Sequence, residues 1–598
     1  MKLKEAQTKK AAKYISRNRD VLILVGLCLL CNGYKLLFSC FYAEPGLQTP
    51  QDIFSLFYSA AYFGGKDWSA IGKEYSAYYG YGFIALFSWM YRFIKDGLFI
   101  YRFILVCCHL LTIISCILCY KIVVFFQFPV SKWVIYFLCI SCTSIQGTSS
   151  CGIANEHALN VCVWGILFLL MQLCAEDIRG NRKIKYTILL GALLAYSCTV
   201  HARAVIMYLL VLLCIAAVRI TRKRYIVNIP AILGVSLLYI PHAVFADKLQ
   251  VMLLGEVNSN SSIIAKASNG IGGGFSWEKL GTFFMSIAAY FHELSVLSAG
   301  ISIVCLGCVL YVGYMFYKKQ EFGQGMGIEA GNRLLCGLIF SISGIGAFLV
   351  GMCFSARSEI YRGITVPINS FLRYLTLVRY FMPFVAPMAL FTLILVMKLN
   401  ACIRRKILLC SMGALIVIQI IFIRHVFPLI KFTGWANGVY LPYTWDVEMK
   451  REDVYLVGGV MLLFAICFLV FWLIRKEKWL FLCATILIFN VNGTMYRFVH
   501  QVKEVKQFEL VDGGYQHFYQ EENSRDIYVV ETEKEDGMAI TDYYFLYQLL
   551  LPNMHIIPEE PRNDLDGAFI LTNNPEAVSN YEKYEIMKLD ENEWILFN

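Results

Sequence analysis

The sequence predicts an α-helical polytopic membrane protein of about 13 spans, N-terminus inside and C-terminus outside, with a small extracytoplasmic α/β domain at its C-terminal end. Three observations carry that expectation. Apolar residues make up 58% of 598 and charged residues only 16%, where soluble chains carry about a quarter charged. Basic residues gather in alternate short connections between apolar runs. The charge then reverses near residue 500: positions 501–598 hold 7 Lys and Arg against 21 Asp and Glu, although the whole chain has a net charge of +10.

Runs of roughly 17 to 25 apolar residues suffice to cross a bilayer. Such runs centre on 21–41, 101–126, 131–148, 158–175, 186–200, 204–219, 226–245, 296–317, 333–354, 376–398, 407–425, 453–474 and 479–495. The N-terminus MKLKEAQTKKAAKYISRNR is strongly basic, so residues 1–20 are placed in the cytoplasm. Counting on from there, the inner connections carry Arg179, Arg182, Lys183 and Lys185, then Arg219, Arg222, Lys223 and Arg224, then Lys318 and Lys319, then Arg404, Arg405 and Lys406, and last Arg475, Lys476 and Lys478. The membrane domain covers 21–498.

Residues 42–100 form a long first outer loop. Within it YGFIALFSWMYRFI (81–94) is apolar enough to be a span, but a span here would reverse every later loop and put the basic clusters outside. It is therefore read as a helix on the outer membrane surface. Beyond the membrane domain, residues 499–598 form the outer domain. Alternation in DIYVVE (526–531), FILT (569–572) and WILF (594–597), with a helix at 541–551, predicts its α/β character. The 22 cysteines lie almost wholly in apolar spans and read as small hydrophobes, not a disulfide framework.

Ionisable residues at the outer ends of spans are costly and define the candidate site. Asp52 stands alone in TPQDIFSLFYSAAYF, and Glu156, with His157 beside it, opens the fourth span. Either acid alone could serve as a helix-start carboxylate; together, one could act as general base while the other orients a hydroxyl or cation. His201 and Arg203 end the fifth span in SCTVHARAVIMY. Arg357, Arg362 and Arg373 crowd the outer loop before the tenth span, which Arg379 and Tyr380 enter as VRYFMPFVAPMALF. Arginines outside run against the positive-inside bias, and guanidinium forks suit phosphate; snorkelling or pairing with Glu359 is the competing account. Tyr79 and Tyr81, in the string YYGYGF, suit sugar stacking or the headgroup zone equally.

An acid in a long first outer loop, a second acid at the fourth span, an RYxxPxxxP tenth span and a small outer C-terminal domain resemble the GT-C glycosyltransferases, nearest in pattern to the lipid A aminoarabinose transferases and protein O-mannosyltransferases. The resemblance covers the whole chain in architecture, through a few short motifs. It implies transfer of a sugar from a polyprenyl-phosphate donor to an extracytoplasmic acceptor, with inversion, at the cell membrane. By position it makes Asp52 the acid that activates the acceptor, Glu156 the second-loop acid and Arg379 a donor-phosphate ligand, with a weaker match at His201 and Arg203. The family's first-loop acid often comes as a pair, whereas Asp52 is flanked by Gln51 and Ile53. One carboxylate is a poor divalent-cation site, so no cofactor is assigned and a cation at Asp52 stays open. The expected partners are the lipid-linked donor, membrane lipids and the outer acceptor, without nucleic acid.

Other readings stay open. A lipid-linked saccharide flippase should show repeats, broken spans and ionisable residues near the midplane, whereas these spans read as unbroken. A polysaccharide polymerase or ligase would favour a late outer loop, and 246–295, with Glu256, Glu278, His292 and Glu293, keeps it in view. A sensor or scaffold would tolerate loss of Asp52.

Overall fold

The computed structural model describes residues 2–41, 50–76, 78–145, 152–259, 277–317, 328–361, 381–426 and 452–504, and, in the C-terminal domain, 526–530, 547–557, 569–572, 585–590 and 593–597. The chain opens with α1 (Lys2–Phe41). The stretch expected from sequence to form the first outer loop supplies α2 (Pro50–Phe63), α3 (Ser69–Tyr75), a 3-10 turn (Ile84–Phe87) and α4 (Met90–Phe93). The stretch at 81–94 is thus two separate four-residue turns, not the single surface helix its apolar content suggests. Backbone hydrogen bonds to another element hold its start, as described below.

Asp96 starts α5 (Gly97–Val124) by accepting from the Phe99 N–H at 3.0 Å. There follow α6 (Lys132–Thr143), α7 (Asn155–Leu173), α8 (Gly180–Val200), a 3-10 turn (Ala202–Val205) and α9 (Ile206–Arg222), which stops at left-handed Lys223. Asn228 caps α10 (Ile229–Ser236), with Pro230 in its first turn, where a missing N–H costs nothing. Next come α11 (Tyr239–Ser259), α12 (Trp277–Leu297), α13 (Ile301–Tyr317), α14 (Ile328–Tyr361), α15 (Met382–Lys398), α16 (Ala401–Ile421), α17 (Glu452–Arg475) and α18 (Trp479–Glu504).

By length and apolar content, seven helical segments among the described residues can cross a membrane: Asn18–Leu37, Gly97–Val124, Asn155–Leu173, Ala202–Thr221, Ile229–Gly255, Ile328–Val350 and Ala401–His425. Five shorter apolar helices accompany them, among them α6 and α15. One predicted feature is overturned. Ser286–Leu297 and Ile301–Tyr314 are bent by 119° at a short break, where Ala299 (φ 49°) and Gly300 (φ 84°) are successive left-handed residues. The spans are therefore not all unbroken, and much of 246–295 is helix rather than loop.

At the centre stands α15, buried at every position from Met382 to Val396. It packs on α14, α13 and α7, while α7 packs on α5 and α8, and α9 on α14. By contrast, only 6% of the apolar stretch of α10–α11 is buried, which leaves that pair at the edge of the helix assembly.

The C-terminal domain carries a five-stranded mixed sheet in the order β2-β1-β3-β5-β4, built from β1 (Asp526–Val530), β2 (His555–Ile557), β3 (Phe569–Thr572), β4 (Glu585–Asp590) and β5 (Glu593–Phe597). β1 runs parallel to β2 and β3; β5 runs antiparallel to β3 and β4. Residues 547–550 form a helical turn. The apolar side chains of 547–556 join the same continuous core as the membrane helices.

Candidate functional site

The site begins where α7 starts and α8 ends. Asn155 donates from its amide to the Val200 carbonyl at 3.0 Å, so the start of α7 is tied to the last turn of α8. Glu156 lies in the first turn of α7, where a carboxylate is favoured by the helix dipole. Past Val200 the backbone is extended at His201, whose Nδ1 accepts from the Arg203 N–H at 3.2 Å and so starts the 3-10 turn. A neutral ring that accepts at Nδ1 carries its proton on Nε2.

Glu156, His201 and Arg203 line one partly open cavity, whose space of about 330 Å³ includes open solvent. Its apolar walls come from Leu159 on α7, Met207 on α9, Phe348 on α14, and Pro383 and Phe384 on α15. The aromatic side is built in layers. Phe384 packs 5.8 Å from Phe348 and 5.9 Å from Phe340, and Phe381 lies between Phe348 (6.5 Å) and Tyr290 of α12 (5.3 Å). Gly344 is required beneath Phe384, because a Cβ there would overlap its ring. An acid, an imidazole and a guanidinium thus converge in one pocket with largely apolar walls.

The tyrosine–glycine string, between α3 and the 3-10 turn at Ile84–Phe87, buttresses this site. The Thr199 carbonyl, one of the orphan acceptors at the C-terminal end of α8, accepts from the Tyr81 and Gly82 N–H groups at 2.9 and 2.8 Å. Gly80 has φ +120° and lies so close to the Val200 carbonyl that a Cβ would overlap it. Tyr79 stands edge-on to the His201 ring at 6.2 Å. Tyr81 turns elsewhere, its hydroxyl 3.1 Å from His242 Nδ1 on α11.

Not every sequence candidate joins the cavity. His157 is buried on another face of α7, with Nε2 3.0 Å from the Gly152 carbonyl and Nδ1 3.4 Å from the Thr112 hydroxyl of α5. Asp52 lies in the first turn of α2 and Arg357 on α14, but their side chains, and all of Arg362, Arg373, Arg379 and Tyr380, lie outside the described residues. Residues not nominated from sequence also contribute. Pro383 and Phe384 fall inside the RYxxPxxxP stretch, so a signal for them was present; Phe348 sits in an unbroken apolar run that offered none.

The opposite ends of the same helices look different. The Met171 carbonyl near the end of α7 accepts from Arg333 Nε at 3.1 Å, the Ala175 carbonyl from Arg224 at 3.1 Å, and the Tyr225 carbonyl from Lys183 at 2.7 Å. These are basic residues from the predicted inner side. The cavity therefore lies at the helix ends away from them.

The whole chain can be set beside a solved structure, that of ArnT from Cupriavidus metallidurans bound to undecaprenyl phosphate. The two superpose with a TM-score of 0.50 over 97% of this chain and 98% of that one, at 10% identity. The chain has the fold of ArnT. That agreement covers nearly all of both chains, and in fold it accords with the GT-C architecture that the sequence resembles. Weaker likenesses are to the arabinosyltransferase EmbB from Mycobacterium smegmatis (TM-score 0.38, 12% identity, 82% of this chain and 41% of that one) and to the Archaeoglobus fulgidus oligosaccharyltransferase tethered with an acceptor peptide (0.40, 9%, 92% and 65%). No protein-family model and no curated protein matches the sequence.

Proposed function

We propose that this ArnT-like protein is an inverting glycosyltransferase of the cell membrane, moving a sugar from a polyprenyl-phosphate-linked donor to an extracytoplasmic acceptor such as a cell-wall polymer, glycan or lipid. The observation that carries the reading is the meeting of Glu156, His201 and Arg203 in one cavity, at the helix ends away from the basic clusters. In this reading Asp52 takes the proton from the acceptor hydroxyl as its oxygen bonds to the anomeric carbon. The bond from that carbon to the phosphate oxygen breaks, and the lipid phosphate leaves with the electron pair. Glu156 orients the hydroxyl. Arg203 and the His201 Nε2–H stabilise charge developing on the phosphate, as preorganised donors in an apolar site do. Arg357, Arg362, Arg373, Arg379 and Tyr380 extend that phosphate site and Tyr79 flanks the sugar, while Tyr81 anchors the string to His242 of α11 instead. His157 holds the start of α7 instead of touching substrate. A divalent cation at Asp52 remains part of the proposal to test.

A second reading rests on the broken α12–α13 pair. It carries His292, wholly buried and 2.8 Å from Gln419 through Nδ1, and Glu293, 3% exposed, whose Oε2 has no hydrogen-bond partner among the described residues. A bent helix with buried ionisable groups also fits a lipid-linked saccharide flippase.

One experiment separates the two. Wild type, Asp52→Asn and Glu156→Gln in nanodiscs are incubated with a panel of polyprenyl-phosphate sugars, with and without a chelator, and loss of lipid-linked sugar is scored. Cleavage by wild type that disappears in Asp52→Asn supports the transferase. Full activity in Asp52→Asn removes the assigned base. No cleavage, with lipid-linked sugar appearing in the opposite leaflet of proteoliposomes, favours the flippase.

A further inference from the structure

The C-terminal domain shows no chemical motif of its own, yet it is fastened to one part of the membrane domain in particular. Trp68, between α2 and α3, is 1% exposed. Its indole stacks on Phe54 of α2 at 5.8 Å, meets Tyr91 of α4 edge-on at 5.6 Å, and donates from Nε1 to the Pro552 carbonyl at 3.2 Å. Two residues earlier, Lys66 Nζ donates to Asn553 Oδ1 at 2.5 Å. α3 packs on β2. The first residue of α5, Gly97, touches the Leu549 and Leu550 carbonyls so closely that a Cβ would overlap them.

These contacts share a geometric consequence. Phe54 lies two residues beyond Asp52 on the same helix, and Phe57, one turn further, stacks on Tyr101 of α5 at 6.0 Å. α2 is therefore gripped between α5 and the Trp68 indole, and the indole is held at its N–H edge by the 552 carbonyl. A buried indole N–H needs such a partner, because leaving it unmet is costly. Removing the acceptor would leave α2 with a wall free to shift.

We propose that the C-terminal domain positions the first outer loop for transfer, and that Trp68 is the positioning residue through which it acts. This rests on the reading that α2 carries the base, but the structural coupling itself can be measured without it. The variants are Trp68→Phe, which keeps a ring and deletes the N–H, and Lys66→Ala, an edge contact of the same interface. Each is measured as full-length protein in nanodiscs by hydrogen exchange of the α2 amides, by affinity for undecaprenyl phosphate as a probe of the cavity, and by turnover of whichever panel donor the wild type cleaves.

The expected result is α2 exchange about five-fold faster and kcat about five-fold lower in Trp68→Phe, the scale of one lost buried hydrogen bond. Undecaprenyl phosphate affinity stays unchanged, and Lys66→Ala moves exchange and kcat in the same direction by less. Unchanged α2 exchange in both variants overturns the proposal, as does faster exchange with undiminished kcat. Loss of undecaprenyl phosphate affinity in step with kcat also overturns it, because Trp68 would then support the whole fold. The two readings fail separately: an active Asp52→Asn with a slow Trp68→Phe removes the base and keeps the positioning role, whereas the reverse keeps the base and removes it.

Discussion

The two ends of the central helices make opposite use of charge. At one end cations are held in place: Arg404, 5% exposed, meets Glu477 at 2.8 Å and the Leu399 carbonyl at 2.9 Å beneath the Trp479 ring, and Arg333 joins Glu329 at 3.4 Å and the Met171 carbonyl. At the other end Glu156 faces a cavity and has no ion pair or hydrogen bond among the described residues. Charge at the first end satisfies backbone carbonyls and fastens helices together. At the second, Glu156, His201 and Arg203 line a shared cavity instead.

Substitutions can break that contrast from either side. Glu156→Gln is expected to give the largest effect of these, lowering transfer by about 10²-fold through a misplaced hydroxyl with the thermal midpoint unchanged; a lowered midpoint with full activity would make Glu156 a structural cap. Gly80→Ala should come next. It forces a side chain into a left-handed position against the Val200 carbonyl, with a strain of about 1–3 kcal/mol, and a thermal melt should record it together with reduced transfer as the His201 segment moves. Arg404→Ala should show the reverse signature to Glu156→Gln. It removes charged hydrogen bonds worth roughly 1.5–3 kcal/mol each, so stability falls while transfer per folded molecule is retained. Lys132→Ala should change least, under about 1 kcal/mol, because its pair with Asp20 at 2.8 Å is exposed; a larger loss in a denaturation curve would mean that the fastening end depends on surface pairs as well.

Much of this contrast was legible before the structure, for a physical reason. Charged residues at span ends are expensive in a bilayer, so Glu156, His201 and Arg203 stood out against apolar surroundings, and the basic loops fixed which ends were alike. What sequence could not resolve was direction around a helix. His157 follows Glu156 directly, and successive residues on an α-helix project about 100° apart, so when Glu156 faces the cavity His157 turns toward Thr112 of α5. Phe348 was invisible because nothing in an apolar run marks the residue that meets a cavity. The bend at Ala299 and Gly300 was hidden likewise: apolar character continues across it, and only the close contact of Gly300 with Cys467, where a Cβ would lie 2.7 Å from Sγ, reveals a tertiary cause. Residues 81–94 differ in another way: their composition permits one helix, whereas the chain forms two short turns, with the Tyr81 and Gly82 N–H groups bonded to the Thr199 carbonyl at the start.

The hydrogen bond from Trp68 to Pro552 joins positions 484 residues apart. During synthesis at about 5–20 residues per second, the first outer loop would wait on the order of a minute before its partner exists. In that interval Trp68 and the rings around it lack one wall. A nascent chain stalled before residue 552 should therefore present this loop to proteases and quality-control factors, and completion of the C-terminal domain would act as the signal that ends the exposure.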